Sequence, residues 1–327
     1  MRESAYQLIT GRIILLLQSG TVPWRKPWKT QSQLPRNLIS KKEYRGINIF
    51  LLLAMGYESP YWATFNQVRE LGGSVRKDEK SSLVVFWKWL EIEEEAEKRR
   101  IPLLRYYCVF NAQQCEGIDQ HLPPSASPVI AASPIEAAER IVAGMPRCPL
   151  IEHGQRRAFY SPRRDMVGMP SQERFVSTEE YYSTLFHELT HATGHESRLN
   201  RRGVAGVHNF GSEPYSKEEL VAEMGSCYLC GQAGIVERTI DNSAGYLDGW
   251  LRSLKHDATL VVQAAGQAQR AADFIMGKHA EENVAGSEST SAPFADSSCP
   301  TSEAPSLATA ERSTSSETMH EMKGETS

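Results

Sequence analysis

The stretch Tyr181-Tyr-Ser-Thr-Leu-Phe-His187-Glu188-Leu-Thr-His191-Ala-Thr-Gly-His195 constrains this chain more than any other, because it contains His-Glu-x-x-His. On a helix, residues four apart lie one above the other on the same face. His187 and His191 can therefore turn two imidazoles toward one metal ion. Glu188 follows the first His, where its carboxylate can take a proton from a water held at the metal. Leu185, Phe186 and Leu189 supply an apolar flank, so the helix is expected to lie in a core. A five-residue motif also arises by chance on ordinary amphipathic helices. Its reading depends on what else the chain supplies.

What it supplies is an acidic segment that predicts a second helix. Pro214-Tyr-Ser216-Lys-Glu-Glu219-Leu-Val-Ala-Glu223-Met reads as an N-cap Ser followed three residues later by Glu, a capping box. Glu219 and Glu223 share a face. Three protein ligands plus one open position is the arrangement of a catalytic zinc site. Glu219 is the expected third ligand, and Glu223 the acceptor that fixes a ligand imidazole's tautomer. The two could exchange roles, and both could instead face solvent, as most helical Glu residues do. Leu220, Val221, Ala222 and Met224 leave little of that helix polar, which favours an inward carboxylate. His195 lies about 12 Å along the axis from His187, too far to share an ion, and Gly194 predicts the helix end. His195 reads as a neighbour of the site or a helix-end cation, not a ligand.

Charge divides the chain. Residues 1–118 carry 18 Lys and Arg against 12 Asp and Glu, a net of +6, whereas residues 279–327 carry 2 against 9, a net of −7. The first segment suits an anionic partner and the last a solvated tail. No stretch is long and apolar enough to span a membrane; the run Ile13 to Leu17 is too short and has no small-residue cleavage site after it. The six cysteines form no secreted disulfide framework, which suits a reducing cytoplasm. Cys227-x-x-Cys230 lies alone on the second ligand helix and reads as two small buried residues.

Residues 4–18 have helical spacing and stop at Gly20. Trp24-Arg25-Lys26-Pro-Trp28-Lys29 follows, a rigid, basic, aromatic turn. Cations for phosphates and aromatic faces for unpaired bases are what a single-strand groove needs; the same Trp residues could equally plug a core. Tyr44 and Arg45 repeat the pairing, and Arg76, Lys77 and Lys80 edge a polar turn. Ile49–Met55 reads as a buried helix or strand, and Thr64 as the N-cap of another helix. Leu83–Trp87 and Leu103–Phe110 read as paired strands joined by a charged extension or exposed helix. The sum is a small α+β domain with a basic, aromatic face.

These motifs carry a resemblance. Val22-Pro-Trp24-Arg25-Lys26-Pro-Trp28, Tyr44-Arg45-Gly46-Ile-Asn48, Thr64-Phe65-Asn66-Gln67, Gly72-Gly73-Ser-Val-Arg76-Lys77-x-Glu79-Lys80 and Val109-Phe110-Asn111-x-x-Gln114-Cys115 occur in the order seen in the ArdC family of plasmid-borne antirestriction proteins. That N-terminal region is also similar to TraC-type conjugative primases. The second half, with His-Glu-x-x-His and Glu-Glu-Leu-Val-Ala-Glu, resembles the zincin-like metallopeptidase domain that follows in that family. The likeness spans residues 4–277. It implies a single-stranded-DNA-binding domain, with contacts from Trp24, Arg25, Lys26, Trp28, Lys29, Tyr44, Arg45, Arg76, Lys77 and Lys80, joined to a zinc-dependent peptidase. One departure is Asp78, where the family often has Gly. If that Gly served a positive φ, Asp78 weakens the turn.

The expected layout is therefore α+β: a DNA-binding domain over 1–118, a Pro-rich linker over 119–134, a helical zincin-like domain over 135–277 and a disordered acidic tail over 278–327. Ser133 and Ser177 read as N-caps, Arg157–Tyr160 and Arg174–Val176 as short strands beside the metal helix, and Ala244–Gly277 as two helices broken near His256–Ala258. The expected cofactor is one divalent ion, zinc by its ligand set, with manganese or cobalt as alternatives. The expected partners are single-stranded DNA and an unidentified protein substrate, with no membrane. The competing reading is a DNA coat protein whose metal site is structural. A nuclease or primase would need an acidic cluster for two metals, which the sequence lacks.

Overall fold

A computed structural model describes residues 3–24, 34–94, 97–123, 133–201, 213–235 and 243–278. Arg25, Lys26, Trp28 and Lys29 lie outside the described residues, as do most of the expected linker and all of the tail beyond Lys278.

Ser4 opens α1 (Ala5–Gln18) with a capping box to Gln7, and Ile9, Ile13 and Leu17 turn its apolar stripe inward. β1 (Arg36–Asn37) and β2 (Tyr61–Ala63) flank α2 (Ile47–Leu53), whose apolar run is helical and buried. Thr64 caps α3 (Phe65–Glu70) as expected. A short strand β3 (Ser74–Val75) leads to a long hairpin, β4 (Ser82–Glu94) and β5 (Glu97–Asn111), paired from Ser82↔Val109 out to Glu94↔Glu97. The charged stretch after Trp87 is thus the hairpin extension and not a helix. β6 (Cys115–Glu116) pairs with β3, and the main sheet runs β1-β2-β5-β4. At the β4 edge the Asn48 amide hydrogen-bonds both the N–H and the C=O of Val85, which occupies backbone groups an edge strand would otherwise present. Asp78 does adopt the left-handed conformation, with φ of 65°, so the turn keeps its shape without Gly; Asp tolerates this region better than most residues.

The second half begins at α4 (Pro134–Ala143), capped by Ser133 with Pro in its first turn. Three short strands, β7 (Leu150–Glu152), β8 (Phe159–Ser161) and β9 (Met166–Gly168), form a sheet ordered β7-β9-β8. Then come α5 (Thr178–Ala192), α6 (Glu213–Ala233), α7 (Ser243–His256) and α8 (Leu260–Ile275). Two local expectations are corrected. Arg174–Val176 is not a strand: a 3-10 turn ends at Arg174, and the Val176 N–H is taken by the Glu180 carboxylate in the cap of α5. Ser216 is not an N-cap, because α6 already begins at Glu213. Pro214 fits the first turn of that helix, where no N–H is needed.

The two halves share one hydrophobic core. Trp24 is fully buried, edge-on to Phe50 at 6.1 Å and to Trp250 of α7 at 5.4 Å, while Phe50 stacks on Tyr228 of α6 at 4.9 Å. Arg45 pairs with Asp273 of α8, and the Gly46 N–H donates to Gln269 of the same helix. Trp24 and Tyr44, which the sequence suggested as stacking surfaces, are core residues, and so is Trp62. Large aromatic faces lose most when left in water, and the helices of the second half cover them. Cys227 and Cys230 are buried thiols in that core. Among the described residues no helix is long and apolar enough to cross a membrane.

Candidate metal centre

Ser177 starts α5 by accepting from the Glu180 N–H at 3.2 Å, and Glu179 and Glu180 put negative charge on the first turn, where the helix dipole favours it. Leu185, Phe186, Leu189 and Ala192 are buried, which fixes the rotation of α5 and turns His187 and His191 toward α6. The two helices meet closely at Gly225, where a Cβ would come within 2.5 Å of Thr190 Cγ2. Thr190 cannot easily yield, because its hydroxyl donates to the Phe186 C=O at 2.7 Å and the residue is fully buried. Gly225→Ala should therefore push α6 away from α5. We expect a loss of about 1–3 kcal/mol, the usual cost of overpacking, together with weaker metal binding. Thermal melts and metal titrations of the variant measure the two effects.

The approach brings three ligand atoms together. His187 Nε2 and His191 Nε2 are 3.2 Å apart, His187 Nε2 is 3.6 Å from Glu219 Oε2, and His191 Nε2 is 3.5 Å from Glu219 Oε1. Bonds of about 2.0–2.1 Å to a tetrahedral ion place its ligands about 3.3 Å apart. The donor set and its spacing fit a divalent ion, and the group His187, His191 and Glu219 forms one cluster. Of the two acids proposed as third ligand, Glu219 is the one placed there.

Electrostatics agree. Burial disfavours a charged His191, but hydrogen bonds to Glu218 and Glu219 and their charges lift its pKa to about 10. Burial likewise opposes a charged His187, yet Glu219, Glu188 and Glu223 raise its pKa above the usual value. Glu219 is buried, which alone would raise it, but the two imidazoles hold it well below the usual carboxylate range. The site stabilises positive charge at its centre. Glu188 is buried, with 9% of its surface exposed, beside the first ligand.

The residue hydrogen-bonded to His191 Nδ1 is Glu218, at 3.3 Å, an acid that the sequence reading does not single out. Glu223 acts on His187 through its charge. Glu218 is in turn gripped by Arg201, at 2.6 Å to Oε1 and 3.2 Å to Oε2. The sequence held the signal for Glu218 as the neighbour of Glu219, but which acid faces His191 depends on how α6 is rotated against α5. His195 stands beyond the helix end with Nδ1 at 2.8 Å from the Ser197 hydroxyl, outside the ligand cluster. Nearby, Arg198 ties the helix end to the small sheet by donating to both Asp165 oxygens, at 2.7 and 3.0 Å, and to the Ala192 C=O.

In the first half, Arg76 donates to the Gln113 C=O and faces Glu79 at 3.4 Å, and Arg45 is held by Asp273, whereas Lys77 and Lys80 are exposed. The large aromatic residues left exposed there are Phe65, Trp87 and Tyr106 among those described.

Residues 136–267 match a family described as zincin-like metallopeptidase, and residues 3–110 match the N-terminal domain of anti-restriction factor ArdC. The chain is 34% identical over 299 residues to a DNA primase TraC of Escherichia coli, an alignment covering 84% of this chain and 27% of the primase. It thus spans about a quarter of the length of that relative. It is also 34% identical over 296 residues to the uncharacterized protein y4eC of Sinorhizobium fredii, covering 86% of this chain and 93% of that one. Among solved structures it is similar to antirestriction ArdC protein from R388 plasmid. The metal-free form has a TM-score of 0.68 and 39% identity over 88% of this chain and 100% of that one. The Mn(II)-bound form has a TM-score of 0.68 and 40% identity over 84% and 98%.

Proposed function

This chain belongs to the ArdC antirestriction family, and from that premise we propose that it joins single-stranded-DNA binding to a metal-dependent peptidase. The peptidase half is carried by one observation: three ligand atoms at coordination spacing, with a buried carboxylate one residue after the first ligand. His187, His191 and Glu219 would hold one divalent ion, zinc by this ligand set, with manganese or cobalt as alternatives. When bound, such an ion polarises a peptide carbonyl and makes water acidic enough to be deprotonated near neutral pH. Glu188 then takes the proton from the attacking water and passes it to the leaving amine, the work of a general base and acid in turn. β8 lies at an edge of its sheet and packs on α5, so an extended peptide can add to that edge by main-chain pairing.

Metal binding is the first test. We expect one equivalent of Zn(II) or Mn(II) per chain in a titration of chelator-treated protein, and its loss in His187→Ala. A His187→Ala protein that binds metal as the parent does would remove the site. Wild-type protein that binds metal but cleaves no peptide in a library screen would favour the structural reading of the ion.

The DNA half rests on the +6 charge of residues 1–118 and on the side chains that remain accessible there. Lys77 and Lys80 lie on the turn that leads into β4, and Trp87 and Tyr106 sit on one face of the β4–β5 hairpin, offset by two residues in the register. Cations and exposed aromatic faces together favour unpaired bases over duplex. Trp24, Tyr44 and Trp62 contribute to the fold instead. Equal affinity for single and double strands, or binding indifferent to salt, would defeat this half alone.

A further inference from the structure

We infer that Arg201 is a positioning residue of the metal centre, acting through Glu218 on His191, and that it links metal affinity to the turn following α5. This rests on the metal reading above. The turn is folded by its own backbone: the Leu199 N–H donates to the Thr193 C=O at 2.9 Å, Asn200 to His195 at 3.1 Å and Arg201 to Gly194 at 3.0 Å. It carries the Arg201 side chain back beneath the end of α5, where only 9% of that side chain is exposed. There the guanidinium uses all three nitrogens. Nε and Nη2 fork onto the two oxygens of Glu218, Nη2 also donates to the Thr190 C=O at 2.8 Å, and Nη1 donates to the Thr193 hydroxyl at 2.5 Å.

The consequence follows from the geometry of an imidazole. His191 can offer Nε2 to an ion only if Nδ1 carries the proton, and that proton needs an acceptor. Glu218 is that acceptor, at 3.3 Å. Its carboxylate is about nine-tenths buried, and a buried carboxylate keeps one orientation only when its other lone pairs are satisfied. Arg201 satisfies them, and its planar fork fixes the carboxylate plane in a way a Lys cannot. The Arg201–Glu218–His191 chain therefore sets the direction of one of the three ligand atoms. Arg201 also caps α5, so a purely structural role must be separated from positioning.

The experiment is a double-mutant cycle in metal affinity. Zn(II) and Mn(II) are titrated into the metal-free full chain of wild type, Arg201→Ala, Glu218→Gln and the double variant, with a thermal melt of each metal-free protein. Removing such a partner of a ligand typically costs 10–100-fold in metal affinity. We expect each single variant to lose within that range and the double variant to lose no more than the worse single one. Arg201→Lys, which keeps the charge and removes the fork, should lose affinity with little change in its metal-free melt, and it serves if Arg201→Ala does not fold. Unchanged affinity in Arg201→Lys and Arg201→Ala, or losses that multiply in the double variant, would overturn the inference. A wild type that binds neither ion would overturn the metal reading itself, a distinct outcome.

Discussion

Replacing Glu188 by Gln should leave a protein that folds, binds its metal and no longer hydrolyses peptide bonds. The amide has the same shape as the carboxylate, so the buried position next to His187 keeps its packing. Glu188 is not among the three ligand residues, so metal stoichiometry should stay at one per chain. What the amide cannot do is accept the proton of water or return one to the leaving amine. General acid–base catalysis typically supplies 10²–10⁴-fold, and Glu188 serves both proton transfers, so we expect kcat to fall by about three orders of magnitude or more. The check is a pair of measurements on one preparation, metal content and single-turnover cleavage of a peptide found with wild type. Glu188→Gln protein that cleaves at the wild-type rate would move the proton transfer to another group. Loss of both metal and activity would instead make Glu188 part of the ion's support.

The contrast between the metal site and the DNA-facing segment shows what a sequence can carry. That His187 and His191 would share a face was legible because helical spacing decides who faces whom within one element. The capping residues Thr64, Ser133 and Ser177 were legible for the same local reason. Ser216 misled because a capping pattern can also occur inside a helix, and Pro214 gave no warning in a first turn that tolerates it. Glu218 was missed because Glu218, Glu219 and Glu223 of α6 present similar chemistry, and the contact of α6 with α5 at Gly225 decides which carboxylate meets His191. Trp24 was misread for a more basic reason. Its neighbours in sequence are cations, which argue for a surface, but its neighbours in space are Phe50 and Trp250, the latter from α7 near the other end of the described chain. No local pattern announces a core assembled from both halves.

That misreading yields the second large effect, a pair of Trp substitutions that separate stability from binding. Trp24→Ala removes a fully buried side chain that touches two aromatic rings. Deleting a buried Trp costs on the order of 3–5 kcal/mol, a large part of the roughly 5–15 kcal/mol that holds a typical domain together. Because that core contains residues from both halves, the damage should reach metal binding as well as DNA binding. Trp24→Phe should cost less, since it keeps an aromatic body and the indole N–H has no hydrogen-bond partner among the described residues. Trp87→Ala is the opposite case. Trp87 is 47% exposed, with Tyr6 edge-on at 6.3 Å, so little core is removed and the melt should barely move. If Trp87 stacks on a base, the variant should lose about 1–3 kcal/mol of single-strand affinity at every salt concentration. Lys77→Ala with Lys80→Ala should instead lower the salt slope by about 0.7 for each phosphate no longer neutralised. Urea melts and fluorescence titrations with an oligothymidylate, run on the same proteins, read both quantities. A Trp87→Ala protein that binds single strands as wild type does would remove the hairpin from the DNA surface. Trp24→Ala protein with an unchanged melt and weakened binding would restore the stacking role that the core packing now denies it.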